Sequence, residues 1–204
     1  MNDFKTPPRF RALVGAVALV LLLAACAPGL AGDDLQGEDI EEPTEKHSFT
    51  LTNTSGEPYE FAAETEGKLT LLYFGYVNCP DICPVHLAQI AEVFDRIPEV
   101  ARDAEVVFVS VDPGRDTPET IRGFLDNFDT RFVGLTGTEE ELADAQNAVG
   151  VPPAVVVDLD DDYTVDHAGW VIAYGPDGLN HAIYPFGTRQ SEWDNDLQIL
   201  ATME

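Results

Sequence analysis

Basic residues are scarce in this 204-residue sequence. Lysine and arginine total 11 against 37 aspartate and glutamate residues, which gives a formal net charge of −26. A surface this negative repels nucleic-acid phosphates and anionic lipid headgroups, so we expect no nucleic-acid partner and no basic membrane-binding patch. Because 45% of the residues are hydrophobic, the chain can still bury a packed core, which argues against a disordered protein.

Long apolar runs and cysteines are also few. The uncharged run Ala12–Ala25 has 14 residues, whereas a bilayer-spanning helix needs about 20. A basic segment precedes this run, and that combination predicts an export signal rather than a membrane span. The run ends in Leu23-Ala24-Ala25-Cys26, which resembles the lipobox of bacterial lipoproteins. The resemblance implies that residues 1–25 are a signal peptide and that a lipid on Cys26 anchors the exported protein to the outer face of the cell membrane.

The segment after Cys26 is acidic, contains proline and glycine, and has no apolar periodicity. This composition is typical of a flexible spacer. We therefore expect residues 26–45 to be the lipidated cysteine followed by an acidic tether, and residues 46–204 to form one folded domain, a common domain size.

Hydrophobic periodicity and capping signals in residues 46–204 predict alternating strands and helices. The predicted elements are a β-hairpin over 48–61, a strand over 69–75, a helix from Cys83 to about Pro98, a strand over 105–111, a helix over 117–127, a strand over 131–135, a helix over 138–149, a hairpin over 168–184 and a helix over 191–203. The acidic residues 158–162 read as a solvated loop. This order predicts an α/β domain with a thioredoxin-like outline, in which a central mixed sheet is flanked by helices and preceded by a β-hairpin.

Two of the three cysteines lie where a buried strand gives way to a helix. Cys79 and Cys83 are four positions apart, and Pro84 follows the second one. Proline fits only the first turn of a helix, so Cys83 is predicted at or very near the helix start. Helix N-termini stabilise thiolates. Both sulfurs can therefore face one point at the end of the strand.

Three interpretations of this pair remain open from the residues alone: a structural disulfide, a redox-active dithiol and a soft-metal site. A structural disulfide is the least favoured, because closing so short a loop restricts the unfolded chain little. A metal would need a further ligand, and the sequence offers His47, His86, His167 and His181. Spacing favours His86, which follows Cys83 by three residues, and His167, which precedes an apolar strand, about equally. His181 reads as a surface residue, and His47 lies at the edge of the tether.

Several motifs, taken in order, are similar to those of the SCO/SenC family of thioredoxin-like copper proteins. They are Gly-Tyr-Val-Asn-Cys-Pro-Asp-Ile-Cys-Pro at 75–84, Val-Ser-Val-Asp-Pro-Gly-Arg-Asp-Thr-Pro at 109–118, Val-Asp-His at 165–167, Gly-Pro-Asp-Gly at 175–178 and Tyr-Pro-Phe-Gly at 184–187. The resemblance extends from about His47 to the C-terminus.

The resemblance implies a copper site, in the Cu(I) or Cu(II) state, whose ligands are Cys79, Cys83 and His167. It further implies delivery of copper to the dinuclear copper centre of the copper-bearing subunit of cytochrome c oxidase. The alternative is a thiol–disulfide reductase that keeps the cysteines of that centre reduced through the same redox-active pair. Asp112 follows the next strand at the same sheet edge, so it is a candidate to support the ligands or dock a partner, or simply to belong to a helix-capping loop.

Overall fold

The computed structural model describes residues 34–160 and 162–203. The predicted signal peptide and Cys26 lie outside the described residues. The strands are β1 Glu38–Glu45, β2 Thr50–Asn53, β3 Pro58–Glu60, β4 Leu69–Gly75, β5 Ala104–Ser110, β6 Val133–Thr136, β7 Val155–Asp158, β8 Tyr163–Asp166, β9 Trp170–Tyr174 and β10 Leu179–Pro185. The helices are α1 Phe61–Glu64, α2 Ile82–Arg96, α3 Pro98–Arg102, α4 Pro118–Leu125, α5 Glu139–Ala148 and α6 Gln190–Leu200. None of these helices is long and apolar enough to cross a membrane.

Eight strands form one mixed sheet in the order β1-β10-β9-β4-β5-β6-β2-β3. The central strands β4, β5 and β6 run parallel, and the other neighbours pair antiparallel. All seven residues of β4 are buried, as expected of a parallel strand covered on both faces. Helices flank the sheet, with α2 packed against α6 and α4 against β6. The predicted fold class and the hairpin β2–β3 are confirmed.

The helix starts follow the capping signals of the sequence. The Thr117 side chain accepts a hydrogen bond from Thr120 N, and Pro118 occupies the first position of α4. Thr138 and Glu141 form a reciprocal capping box at the start of α5. Each cap satisfies backbone N–H groups that have no partner within the helix.

The expected tether is wrong for its last eight residues, because Glu38–Glu45 forms the edge strand β1. This strand pairs antiparallel with β10, with Glu38 opposite Ile183 and Glu45 opposite Leu179. Seven of its eight residues are exposed, so no apolar alternation marks it in the sequence. What holds it is the ladder of backbone hydrogen bonds to β10, which depends little on side-chain type.

The two-stranded ribbon formed by β7 and β8 was also not expected from the sequence. These strands pair antiparallel from Val155 opposite Asp166 to Asp158 opposite Tyr163. Beyond the paired residues, Leu159 N donates to Asp162 O at 2.8 Å. Every residue of β7 is exposed, so the strand lacks a buried face. The ribbon ends immediately before His167, and it therefore sets where that side chain lies.

Candidate metal centre

The end of β4 brings the chain into a short loop that carries Cys79. Cys79 N donates to Tyr76 O at 3.2 Å and closes a turn. The Asp81 side chain then caps α2 by accepting from Ile82 N at 2.7 Å. Cys83 is the second residue of α2, as the position of Pro84 predicted. The loop and the helix start thus carry the two cysteines side by side.

The two sulfurs and one imidazole converge at this sheet edge. His167 Nε2 lies 3.9 Å from Cys79 Sγ and 3.8 Å from Cys83 Sγ. The three donor atoms all lie within 4.8 Å of one another. Metal bonds of about 2.0 Å to nitrogen and 2.3 Å to sulfur, spread at 120°, require a nitrogen–sulfur separation of about 3.7 Å. The two observed nitrogen–sulfur separations are therefore close to those that a trigonal metal site needs.

The His167 ring is oriented by its own backbone and by a tyrosine. Nδ1 lies 3.1 Å from the carbonyl oxygen of Ala168, which can only accept, so Nδ1 carries the proton. That tautomer leaves the lone pair of Nε2 free to face the sulfurs. The Tyr76 ring meets the imidazole edge-on at 5.5 Å. The Tyr76 hydroxyl is 2.9 Å from Thr164 Oγ1 in β8, which links the cysteine loop to the ribbon.

The two cysteines differ in ionisation. A hydrogen bond from the Cys83 thiol is the main reason that the pKa of Cys79 falls to about 4; burial opposes this shift and the contact with His167 adds to it. Cys83 N also donates to Cys79 Sγ at 3.4 Å. Burial is the largest cause that raises the pKa of the Cys83 thiol. At neutral pH the pair therefore holds one thiolate, on Cys79, and one thiol, on Cys83.

His86, which spacing could not separate from His167, lies outside the cluster of donor atoms. Its side chain is buried, and Nε2 lies 3.4 Å from the carbonyl oxygen of Gly169. Because that oxygen can only accept, the imidazole donates to the loop that follows His167. Burial lowers the pKa of His86. His86 therefore ties α2 to the histidine loop and leaves the cluster to His167.

The other two histidines are also absent from the cluster. His181 Nε2 is 2.8 Å from Asp177 Oδ2 in the β9–β10 hairpin. His47 is exposed and lies just after β1.

Asp112 is 3% exposed, so its carboxylate cannot serve as a docking group for a partner. One oxygen accepts from the Tyr163 hydroxyl at 2.8 Å, and the other forms an ion pair with Arg115 Nε at 2.6 Å. Arg115 also donates to the carbonyl oxygen of Tyr163 at 3.0 Å and lies over its ring. Asp112 and Arg115 together fasten the start of β8, and hence the ribbon that leads to His167.

Asp116 fixes the cysteine loop from the same side, a role that no sequence motif indicated. Its buried Oδ2 accepts from Ser110 Oγ at 2.6 Å and from Val77 N at 2.9 Å. Tyr73 is a second such residue, because its hydroxyl lies 3.3 Å from Cys83 Sγ. Strand periodicity identifies both neighbourhoods as buried, but it does not say which polar atoms meet there.

Comparison with known proteins agrees with this geometry. The SCO1/SenC family model matches residues 37–202. The chain belongs to the SCO1/SenC family. An SCO2-like protein of Rickettsia conorii is 35% identical to this SCO1/SenC chain over 172 residues, which cover 81% of the chain and 82% of the relative. The match begins at residue 37, so it includes β1.

Solved structures of family members with copper bound are similar to this chain. ScoI of Bradyrhizobium japonicum with copper bound shares 34% identity and a TM-score of 0.69, covering 77% of this chain and 99% of that one. ScoI of Arabidopsis thaliana with copper bound shares 29% identity and a TM-score of 0.71, covering 78% and 100%. This SCO1/SenC chain thus has the fold of copper-binding proteins and a Cys–Cys–His group suited to copper.

Proposed function

We propose that this protein is a membrane-anchored copper chaperone that delivers copper to the dinuclear copper centre of cytochrome c oxidase. The observation that carries the proposal is the convergence of Cys79, Cys83 and His167, whose donor atoms lie within 4.8 Å of one another. Membership of the SCO1/SenC family supports copper as the metal and cytochrome c oxidase as the recipient.

The donor set fits copper better than zinc. Thiolates select soft Cu(I), and imidazole accepts either Cu(I) or Cu(II). Structural zinc sites are almost always four-coordinate, whereas the described residues offer three donors here. Copper is the cargo of the protein, and Cys79, Cys83 and His167 are its proposed ligands.

A three-donor site also suits transfer. A thiolate or imidazole of the recipient can enter the free coordination position before a ligand of this protein leaves. His167 is half-buried, so the recipient can approach from the histidine side. The copper ion then passes between proteins without being released into solution.

The proposed anchor is Cys26, lipidated after export and removal of residues 1–25. This proposal is supported by the sequence, in which a basic segment is followed by an apolar run and then by Leu-Ala-Ala-Cys. An anchor would hold the copper site on the outer face of the cell membrane, beside a membrane-embedded oxidase. Mass spectrometry of the purified protein tests this point, because a lipid mass should be present on the wild type and lost in Cys26→Ser.

The decisive experiment loads the chain from residue 26 onward, carrying Cys26→Ser, with Cu(I), Cu(II) or Zn(II). We expect one copper ion per chain, and loss of binding in Cys79→Ser, Cys83→Ser and His167→Ala. His181→Ala is the matched control, since that imidazole lies in the β9–β10 hairpin and outside the cluster. A chain that takes up one zinc ion and ignores copper would overturn the proposal.

The runner-up function is a thiol–disulfide reductase for the cysteines of the oxidase copper centre. The observation that favours it is the low pKa of Cys79, about 4, because thiolates are the attacking species in disulfide exchange. His167→Ala separates the two functions, since exchange needs only the sulfurs. If this variant still matures the oxidase in cells, the reductase is the better description.

A further inference from the structure

A tyrosine hydroxyl lies against one of the two sulfurs. Tyr73, in the middle of β4, has no exposed surface, and its hydroxyl is 3.3 Å from Cys83 Sγ. This is the only hydrogen bond of that hydroxyl within 34–160 and 162–203. A buried phenol needs an acceptor for its proton. The sulfur of Cys83 fills that need.

Packing holds the hydroxyl in this position. The Tyr73 ring meets the rings of His86, Phe108 and His167 at centroid distances of 5.3, 6.0 and 6.2 Å. Cys83 has no exposed surface either. A tyrosine fixed on several sides cannot turn its hydroxyl to another partner, and a hydrogen bond in such a water-poor site is stronger than it would be in water.

The strength of this bond depends on the redox state of the sulfur. In the reduced pair the Cys83 thiol donates its proton to the Cys79 thiolate, so the sulfur of Cys83 shares part of the negative charge. An acceptor that carries charge forms stronger hydrogen bonds than a neutral one. When Cys79 and Cys83 form a disulfide, the sulfur of Cys83 becomes a weak neutral acceptor. Formation of the disulfide therefore weakens the only bond that the buried Tyr73 hydroxyl makes within the described residues.

We infer that Tyr73 is a positioning residue that stabilises the reduced, copper-binding form of the cysteine pair against its disulfide. The inference rests on the proposed function, because only the reduced pair offers two thiolates to copper. The same bond draws electron density from a copper-bound sulfur, and hydrogen bonding around a cysteine ligand is known to tune copper sites. Tyr73 thus acts through Cys83 and need not touch the metal.

The reaction that measures this effect is reduction of the disulfide by dithiothreitol. The Cys79–Cys83 bond breaks, and at neutral pH the two sulfurs gain two electrons and one proton, which stays on Cys83. Dithiothreitol supplies the electrons and the proton, closes its own cyclic disulfide and releases its second proton to the buffer. The equilibrium constant of this exchange reports the relative stability of the reduced pair.

Tyr73→Phe tests the inference, because it removes the hydroxyl and keeps the ring. We expect the equilibrium constant to shift about tenfold toward the protein disulfide, a reduction potential more negative by about 30 mV for this two-electron couple. In the copper(II)-loaded protein we expect the sulfur-to-copper absorption band to move to longer wavelength. Tyr184→Phe is the control, because its buried hydroxyl bonds to Asp196 at 3.0 Å instead, and both readouts should stay at their wild-type values.

Unchanged potential and absorption in a folded Tyr73→Phe protein would overturn the inference. If that variant does not fold, nuclear magnetic resonance of the wild type decides instead: the Tyr73 hydroxyl proton should exchange slowly in the reduced protein and faster in the disulfide form. Equal exchange in both forms would also overturn it. The reduction potential is measured without copper, so this test does not depend on the proposed function. If the protein shows the expected shift in potential but binds no copper, the proposed function fails and the inference about Tyr73 stands.

Discussion

The backbone of Gly75 and the sulfur of Cys83 are packed so closely that no side chain fits between them. A Cβ atom on residue 75 would lie 2.7 Å from Cys83 Sγ and 2.8 Å from the ring of Phe108. Real Cβ contacts are longer than this, so any side chain at position 75 must displace the sulfur or the ring. The observed position of the Cys83 sulfur therefore requires glycine at the end of β4.

Gly75→Ala should weaken copper binding by about tenfold or more, because the added methyl group collides with Cys83 Sγ and disturbs its position 3.8 Å from His167 Nε2. Overpacking of this kind typically costs about 1–3 kcal/mol of folding free energy. A competition titration with a Cu(I) chelator measures the affinity, and urea unfolding measures the stability. Gly123→Ala is the matched control: that glycine is an exposed residue of α4, and a methyl group added there would have no neighbouring atom within 4 Å, so copper binding should be unaffected and stability should rise. Equal affinities for Gly75→Ala and wild type would contradict the packing argument.

His86→Phe should speed the dissociation of copper while leaving the fold intact. The substitution keeps a ring against Tyr73 and removes the donor to Gly169 O, so the loop after His167 is held less firmly. Loss of one hydrogen bond worth about 1 kcal/mol corresponds to a change of about fivefold. Stopped-flow transfer of copper to a chelator measures the rate, and His181→Ala should match the wild type. A rate in His86→Phe equal to that of the wild type would show that the contact with Gly169 does not hold the ligand.

The stability of the apo protein should fall as the pH drops below about 6.5, partly because of His86. Burial lowers the pKa of this imidazole below its ordinary value of 6.5. Between the two pKa values the unfolded chain binds a proton that the folded chain does not, so stability there rises with pH and is lost on acidification. Urea unfolding measures the stability at about pH 7.5 and about pH 5.5, which lie on either side of the ordinary imidazole pKa. The stability lost between these two pH values should be smaller in His86→Phe than in the wild type. The same loss in both proteins would refute the assignment.

The central sheet and the cysteine pair could be predicted from the sequence because their signals are local. The run Leu69–Gly75 is apolar throughout, and Pro84 fixes the start of α2 within a residue. The capping box of Thr138 and Glu141 is equally local. Such features depend on neighbours within one turn or one strand.

The parts that could not be predicted depend on contacts between distant segments. β1 and β7 are exposed strands held by backbone pairing, so they leave no hydrophobic pattern. Spacing could not choose between His86 and His167, because the choice depends on how the β7–β8 ribbon returns to α2. The bond from Tyr73 to Cys83 is likewise a tertiary contact. The family resemblance implied His167, and this is the imidazole that lies beside the two sulfurs.

Copper binding at neutral pH should release about one proton per chain. Both sulfurs must be thiolates to bind the metal. Cys79, with a pKa of about 4, is already deprotonated, whereas the raised pKa of Cys83 keeps its proton until copper displaces it. Calorimetric titration in buffers of different ionisation enthalpy counts the protons. Release of two protons at neutral pH would show that Cys79 is not a thiolate in the apo protein.

Asp112→Ala should loosen the β7–β8 ribbon and thereby weaken the hold on His167. The substitution removes the acceptor of the Tyr163 hydroxyl and the ion-pair partner of Arg115, so both side chains lose a contact that holds the start of β8. Hydrogen exchange followed by mass spectrometry should show faster exchange in Tyr163–Asp166, and copper should dissociate faster than from the wild type. Tyr163→Phe, which removes one of the two contacts, should show a smaller change in the same direction. Asp126→Ala is the control, because its carboxylate pairs with Arg122 on α4. Wild-type exchange in the ribbon of Asp112→Ala would mean that the ribbon is held by its other contacts, among them the bond between Tyr76 and Thr164.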